Sequence, residues 1–181
     1  MLIDLLRTRR SIRKFTDRPI EQEKVDLLME AVLRAPSSKG HVPWEFIVVT
    51  DKETIEKLSR AKPHGAAFMS GAPLVVVVCA DPGRSDVWIE DAAITALLLH
   101  LEALDLGLGS CWVQVRLRDH DAQHGSEEYV AEVVGLDPAM VVEAMVVVGY
   151  PAEPKPGHPA SSLPRDKISY ETHGRRSPGT S

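Results

Sequence analysis

Leu74-Val75-Val76-Val77-Val78-Cys79 is a continuous run of apolar, mostly β-branched residues. Such a run suits a strand buried on both faces, with other elements packed above and below it. Working outward from it, Phe46-Ile47-Val48-Val49, Cys111-Trp112-Val113 and Val141 to Val148 read as three further strands. Helical patterns separate them. Asp51 is placed to cap a helix from Lys52 to about Ala61. Asp81-Pro82-Gly83 turns the chain into the longest helix candidate, Asp86 to Leu106. That helix is apolar on most sides, through Ile89, Ala92, Ala93, Ala96, Leu97, Leu101 and Leu104, so it belongs in a core or at a subunit interface. Gly107 is suited to its C-terminal cap, and Ser126 is expected to cap a short helix ending at Gly135.

Two helices precede the first strand. Leu2, Ile3, Leu5 and Leu6 point to a short opening helix. Pro19-Ile20 opens the second, whose Val25, Leu28, Met29, Val32 and Leu33 follow the helical i, i+3, i+4, i+7, i+8 spacing until Pro36 stops it. Helices first, then strands alternating with helices, describe a layered α+β or α/β domain over residues 1–150. Beyond Tyr150, Pro151, Pro154, Pro156, Pro159 and Pro164 exclude helix and central strand. Residues 151–181 are therefore expected to form an extended arm lying on the domain or on a partner subunit.

The composition narrows the function. The 181 residues are 44% hydrophobic and carry a net charge of -5, which counts against broad nucleic-acid binding. Three Trp, three Tyr and three Phe leave little material for an aromatic cage. Cys79 and Cys111 both fall in strand-like runs and read as buried free thiols of a reducing cytoplasm, though a disulfide between them stays open. The start of the chain does not read as a signal peptide, and the most apolar stretch, Ala92 to Leu101, is too short and too charged at its edges to span a bilayer.

Against that acidic background, Met1 to Arg18 holds six Lys/Arg and two Asp. Its centre, Arg9-Arg10-Ser11-Ile12-Arg13-Lys14-Phe15, offers forked guanidinium donors and a hydroxyl, a set that fits a phosphate. Other motifs carry less. His120 and His124 stand four apart, the spacing zinc uses on a helix, but Asp119, Asp121 and Gly125 describe a polar loop, and no metal is expected. Gly107-Leu108-Gly109 lacks the third glycine of a dinucleotide fingerprint, and no Gly-x-Ser-x-Gly surrounds Ser110.

Four stretches in order resemble the signatures of the nitroreductase family of flavoproteins. They are Arg9 to Phe15; Ala35-Pro36-Ser37-Ser38 with Pro43-Trp44-Glu45-Phe46; Glu90-Asp91-Ala92-Ala93 with Leu106 to Trp112; and Gly149-Tyr150-Pro151 before the proline-rich tail. The resemblance implies an α+β, three-layer fold with a central mixed β-sheet between helices, assembled as an intertwined homodimer with FMN at the interface. It implies that Arg9 and Ser11, with Arg10 beside them, hold the FMN phosphate, and that Arg13 lies at the pyrimidine end of the flavin. Pro36, Ser37 and Ser38 would come from the partner subunit to pack near the ring. Gln114, Val115 and Arg116 would run past its N5 side.

The same resemblance marks His41 and His64 as candidates to face substrate, and Arg165, with Lys167, as the arm's replacement for a basic pair that many members use to grip phosphate. Gly40 and Val42 stand where members often have Asn and Gln. No side-chain catalytic residue is expected, because the chemistry is the flavin's. The implied activity is an NADH- or NADPH-dependent, ping-pong reduction of a small acceptor such as a nitroaromatic or quinone. A related dehalogenase or enone reductase, a flavin-binding module without turnover, and a colourless anion-binding protein remain open as alternatives.

Overall fold

The computed structural model describes residues 1–176; the last five residues of the expected arm lie outside them. In chain order the elements are α1 (Leu2–Thr8), α2 (Gln22–Leu33), β1 (Trp44–Val49), α3 (Lys52–Leu58), β2 (Leu74–Ala80), α4 (Trp88–Asp105), β3 (Gly109–Gln114), α5 (Ser126–Val134) and β4 (Val141–Gly149). The four strands form one sheet in the order β1-β2-β4-β3. The apolar run that reads as a doubly buried strand is β2, every residue of which is buried.

Side-chain alternation divides the core in two. Val75, Val77, Val113, Met145 and Val147 pack with Ile55, Leu58, Met69 and Val130 beneath α3 and α5. Leu74, Val76, Val78, Val146 and Val148 pack with Leu28, Val32, Ala96 and Leu99 from α2 and α4. Helices therefore cover both faces, giving the expected three layers.

The pairing differs from the expected mixed sheet in one respect. All adjacent strands are antiparallel. The crossover through α4 carries the chain from β2 to a strand two positions away, and β4 returns to fill the gap between them. Among the described residues, parallel pairing is confined to an isolated bridge between Ser11 and Ser110, where the N-terminal segment runs beside β3.

Helix ends also shift. The second helix starts at Gln22 rather than at Pro19-Ile20, because Glu21 is extended and its carboxylate is held by Tyr150 and Arg18. Asp51 caps α3 as expected, accepting from the Thr54 N–H at 2.8 Å. Ser126 does not cap α5. It is fully buried inside the first turn, and the capping contact runs from the Gly125 N–H to Glu128. Gly135 ends that helix in the left-handed region at φ 64°. No helix among the described residues is long and apolar enough to cross a membrane.

Candidate anion and cofactor site

The exposed edge of β3 organises the site. Ile12 donates its N–H to the Ser110 carbonyl at 2.9 Å, and its buried side chain sits so close to Gly109 that a β-carbon there would come within 2.9 Å of it. Only glycine at 109 lets the Arg9–Arg13 segment lie this close to the strand. Alternation then sends Ser11 and Arg13 to the side opposite Ile12, towards Cys111, while Arg9 stays on the α4 side with Ile12 and His100.

The arm closes over the same segment. Phe15 bridges Pro151, the Ala152 N–H donates to the Lys14 carbonyl at 2.9 Å, and the Arg13 N–H donates to Glu153 at 2.9 Å. Lys155 donates to the Ser11 carbonyl at 3.1 Å and pairs with Glu153 at 2.8 Å. Arg10 is committed to the Pro156 carbonyl. Between arm, segment and α4 lies a cavity of about 260 Å³, lined by Arg9, Arg10, His100, Ser110 and Lys155 among others.

More cations reach the other side of β3. The Cys111 thiol is faced by Arg13, Lys155 and Lys62, and Ser11 hydrogen-bonds to it; burial nevertheless dominates and pushes the thiol up. It is a core residue rather than a nucleophile. Lys62 donates to the Gln114 carbonyl at 3.0 Å, and burial together with Arg118 lowers its proton affinity. Arg13 lies 5.9 Å over the Phe68 ring. The side chains of Arg9 and Arg13 form no salt bridge or hydrogen bond among the described residues. This strip of converging cationic donors, two of them uncommitted, suits a phosphate and an electron-rich heterocycle edge.

His100 ties α4 to this strip. Its Nδ1 lies 2.7 Å from Ser110 Oγ, and burial, with the Arg9 charge, pushes it down to about 4. The folded state therefore keeps His100 neutral while the unfolded chain, titrating near 6.5, takes a proton first as pH falls. Stability from this group is complete above about pH 6.5 and is lost as pH falls towards 4, by up to about 3 kcal/mol. Urea unfolding across that interval is expected to show the decline in wild type and a shallower one in His100→Asn.

The remaining expected residues fall in two places. The Gln114–Arg116 run leaves the end of β3. Trp112 Nε1–H donates to Gln114 Oε1 at 2.9 Å, and Gln114 Nε2 donates to the Arg116 carbonyl at 3.0 Å. The Arg116 N–H is taken by the Glu143 carbonyl at 3.0 Å, and Val115 is buried. The Pro36–Ser38 loop leads into β1, at the opposite edge of the sheet, roughly 14 Å away at ordinary strand spacing. Ser37 Oγ accepts from the Val42 N–H at 3.0 Å, and the Ser38 N–H donates to buried Asp91 at 2.9 Å. Lys39, Gly40 and Val42 all take positive φ, a costly conformation for β-branched Val42. One chain thus does not bring Pro36, Ser37 and Ser38 to Arg9.

His41 and His64 are exposed; His41 donates its N–H to the Ser38 carbonyl at 3.0 Å, and His64 meets neither stretch through a described contact. Arg165 lies in a short 3₁₀ turn, Arg165–Lys167, and its backbone bonds are local. The arm cation that does meet the N-terminal cluster is Lys155. His120 stacks on Tyr129 at 3.9 Å, His124 pairs with Asp121 at 3.1 Å, and no group of three or more ligating side chains is placed for a metal among the described residues.

Comparison with known proteins bears on this geometry. A family model described as the Nitroreductase family matches residues 6–62 and 58–150. A protein of Archaeoglobus fulgidus, whose name assigns it to the NADH dehydrogenases and NAD(P)H nitroreductases, is 35% identical over 157 residues, spanning 84% of this chain and 87% of that protein. One of the same name from Methanothermobacter thermautotrophicus is 32% identical over 156 residues, spanning 84% and 78%. A solved structure described as an FMN-dependent nitroreductase from Clostridium difficile R20291 superposes with a TM-score of 0.93 at 43% identity, covering 94% of this chain and 99% of that one.

Proposed function

The chain belongs to the nitroreductase family, and from that premise we propose that it is an FMN-dependent oxidoreductase that draws electrons from NADH or NADPH and passes them to a small organic acceptor such as a nitroaromatic or quinone. The observation that carries this reading is the strip of cations along β3. Arg9, Ser11 and Lys155 suit a phosphate dianion. Arg13 and Lys62 suit the pyrimidine edge of a flavin, where negative charge develops on reduction. The FMN-dependent description of the Clostridium difficile relative supports the choice of cofactor.

FMN supplies the hydride-accepting and hydride-donating centre. The chain's own contribution is electrostatic and positional. Arg13 and Lys62 favour the reduced charge state, and the rigid Trp112–Gln114–Arg116 arrangement holds the backbone beside which a flat ring can rest. No nucleophile or obligatory acid is needed, and one site serving both substrates in turn predicts ping-pong kinetics.

The separation of the Pro36–Ser38 loop from Arg9 by the width of the sheet supports a homodimer in which each site takes that loop from the other copy. Apolar residues exposed on α4, Ile94 and Leu97, and on α1, Leu2, Ile3 and Leu6, offer the surface for it. Residues 151–176 form the arm that completes the site rather than a separate domain.

Rapid mixing of FMN-loaded protein with NADH or NADPH is expected to bleach the flavin absorbance, and a nitroaromatic or quinone to restore it. Bound FMN that neither nucleotide bleaches would reduce the protein to a flavin-binding module. A colourless protein that takes up no FMN would overturn the reading altogether.

A further inference from the structure

Glu143 is the one charged residue of β4. It occupies the irregularity in the ladder where Val142 pairs with Cys79 and Ala144 with Val78, so it has no partner on β2. The residue is 5% exposed, and its Oε2 is fully buried with no hydrogen-bond partner. A buried carboxyl oxygen left in this way calls for a physical reason. The nearest cation, Arg116, places Nε 3.9 Å from Oε2, beyond hydrogen-bond reach. The guanidinium itself lies 5.7 Å over the Trp88 ring and makes no side-chain hydrogen bond among the described residues.

The charged groups facing this carboxyl come from every element around it. Arg116 follows β3, Glu90 belongs to α4 and Glu127 to α5, with the amide of Gln114 beside them. Glu143 and Glu127 thus both feel the one guanidinium, with Glu90 as a further like charge on Glu143. Burial, the largest influence, raises the proton affinity of Glu143, with Glu127 and Glu90 adding to it and Arg116 opposing. Half-buried Glu127 is raised as well, again chiefly by burial. In such a cluster the proton affinity of Glu143 depends on where the guanidinium points.

We propose that Glu143 takes up a solvent proton when the adjacent redox site gains negative charge, with Arg116 as the cation shared between the two. This rests on the reading above, in which the cofactor ring lies along Gln114–Arg116. A hydride from NAD(P)H brings two electrons and one proton, leaves NAD(P)⁺, and adds one negative charge to the site. Arg116 turns towards that charge, the Glu143 carboxylate loses its neighbouring cation, and one solvent proton binds it. When the acceptor is reduced it takes up the hydride and one proton. The charge at the site disappears, Arg116 returns, and Glu143 releases its proton to match. The balance is acceptor plus NAD(P)H plus H⁺ giving reduced acceptor plus NAD(P)⁺. Because binding linkage is reciprocal, the same coupling makes the potential of the site depend on the protonation of Glu143.

The test is a spectroelectrochemical titration of the FMN-loaded protein as a function of pH, in wild type and in Glu143→Gln, which keeps the shape and removes the titration. Over the interval in which Glu143 takes up its proton, the variant is expected to lose one proton's worth of slope. That is a tenfold change in equilibrium constant per pH unit, or about 30 mV per pH unit for a two-electron couple. Coincident slopes overturn the proposal while leaving the oxidoreductase reading intact. A protein that binds no FMN overturns both. Should the variant fold poorly, reduced-minus-oxidised infrared difference spectra of the unmodified protein are expected to show a protonated carboxyl band appearing on reduction, and its absence rejects the proposal.

Discussion

Arg9→Ala is expected to weaken FMN binding by roughly 10- to 100-fold, the range of about 1.5–3 kcal/mol for losing a hydrogen bond to a charged partner. Arg9 stands out because its neighbours are occupied. Arg10 spends its guanidinium on the Pro156 carbonyl, and Lys155 divides its ammonium between the Ser11 carbonyl and Glu153. Arg9 lines the cavity beside His100, and its guanidinium forms no salt bridge or side-chain hydrogen bond among the described residues, the cavity's Glu153 being held by Lys155 and the Arg13 N–H. Equilibrium titration of apoprotein with FMN, followed by flavin fluorescence, measures the loss. Arg10→Ala is expected to cost less, acting by loosening the arm. An unchanged affinity in Arg9→Ala would hand the phosphate to Lys155, Lys62 or Arg165.

Leu99→Ala is expected to destabilise the fold by about 2–5 kcal/mol. For a chain of this size that corresponds to a fall in Tm of roughly 5–20 °C. The neighbours explain the size of the effect. The sheet-facing line of α4 reads Ala92, Ala96, Leu99, Ala103, all of them fully buried, so Leu99 is the only large side chain along it. Small neighbours on a helix held against β2 and β4 cannot close the void. Calorimetric unfolding measures the shift. On the opposite face Leu97 is 49% exposed, and Leu97→Ala is expected to change folding of the single chain by no more than about 0.5 kcal/mol. A clearly larger loss at Leu97 would mean that a second copy covers that face.

The strands were legible from hydrophobic runs because β2 and β4 are covered on both faces and leave no room for polar interruption. The one interruption, Glu143, is itself a signal in the sequence: a carboxylate inside Val141–Val148 needs a reason. Helix starts were less legible. Pro19 is compatible with a helix start, but the Tyr150–Glu21 contact that delays it comes from the far end of the chain. Ser126 has the chemistry of a cap, yet tertiary packing buried it one position inside the helix.

In the site, the Arg9–Arg13 segment could be read directly, since local charge against a net acidic chain is a property of sequence. Lys155 could not. Its role depends on the arm folding back over Ser11, a contact 144 residues distant. The left-handed backbone at Val42 was equally hidden, since a β-branched residue is the least expected occupant of that region.

Gly157 marks where the arm crosses the end of α1, so tightly that a β-carbon there would overlap the Arg7 carbonyl. That crossing holds the arm by steric fit of backbone on backbone. The contacts of Arg10, Glu153 and Lys155 nearby hold it by charge, and charge is screened by salt, with a Debye length of about 8 Å at physiological ionic strength. The arm therefore has two fastenings that answer to different conditions. Raising ionic strength slackens the electrostatic one and leaves the steric one in place, so the cover over the cation strip loosens before the arm lets go of the domain.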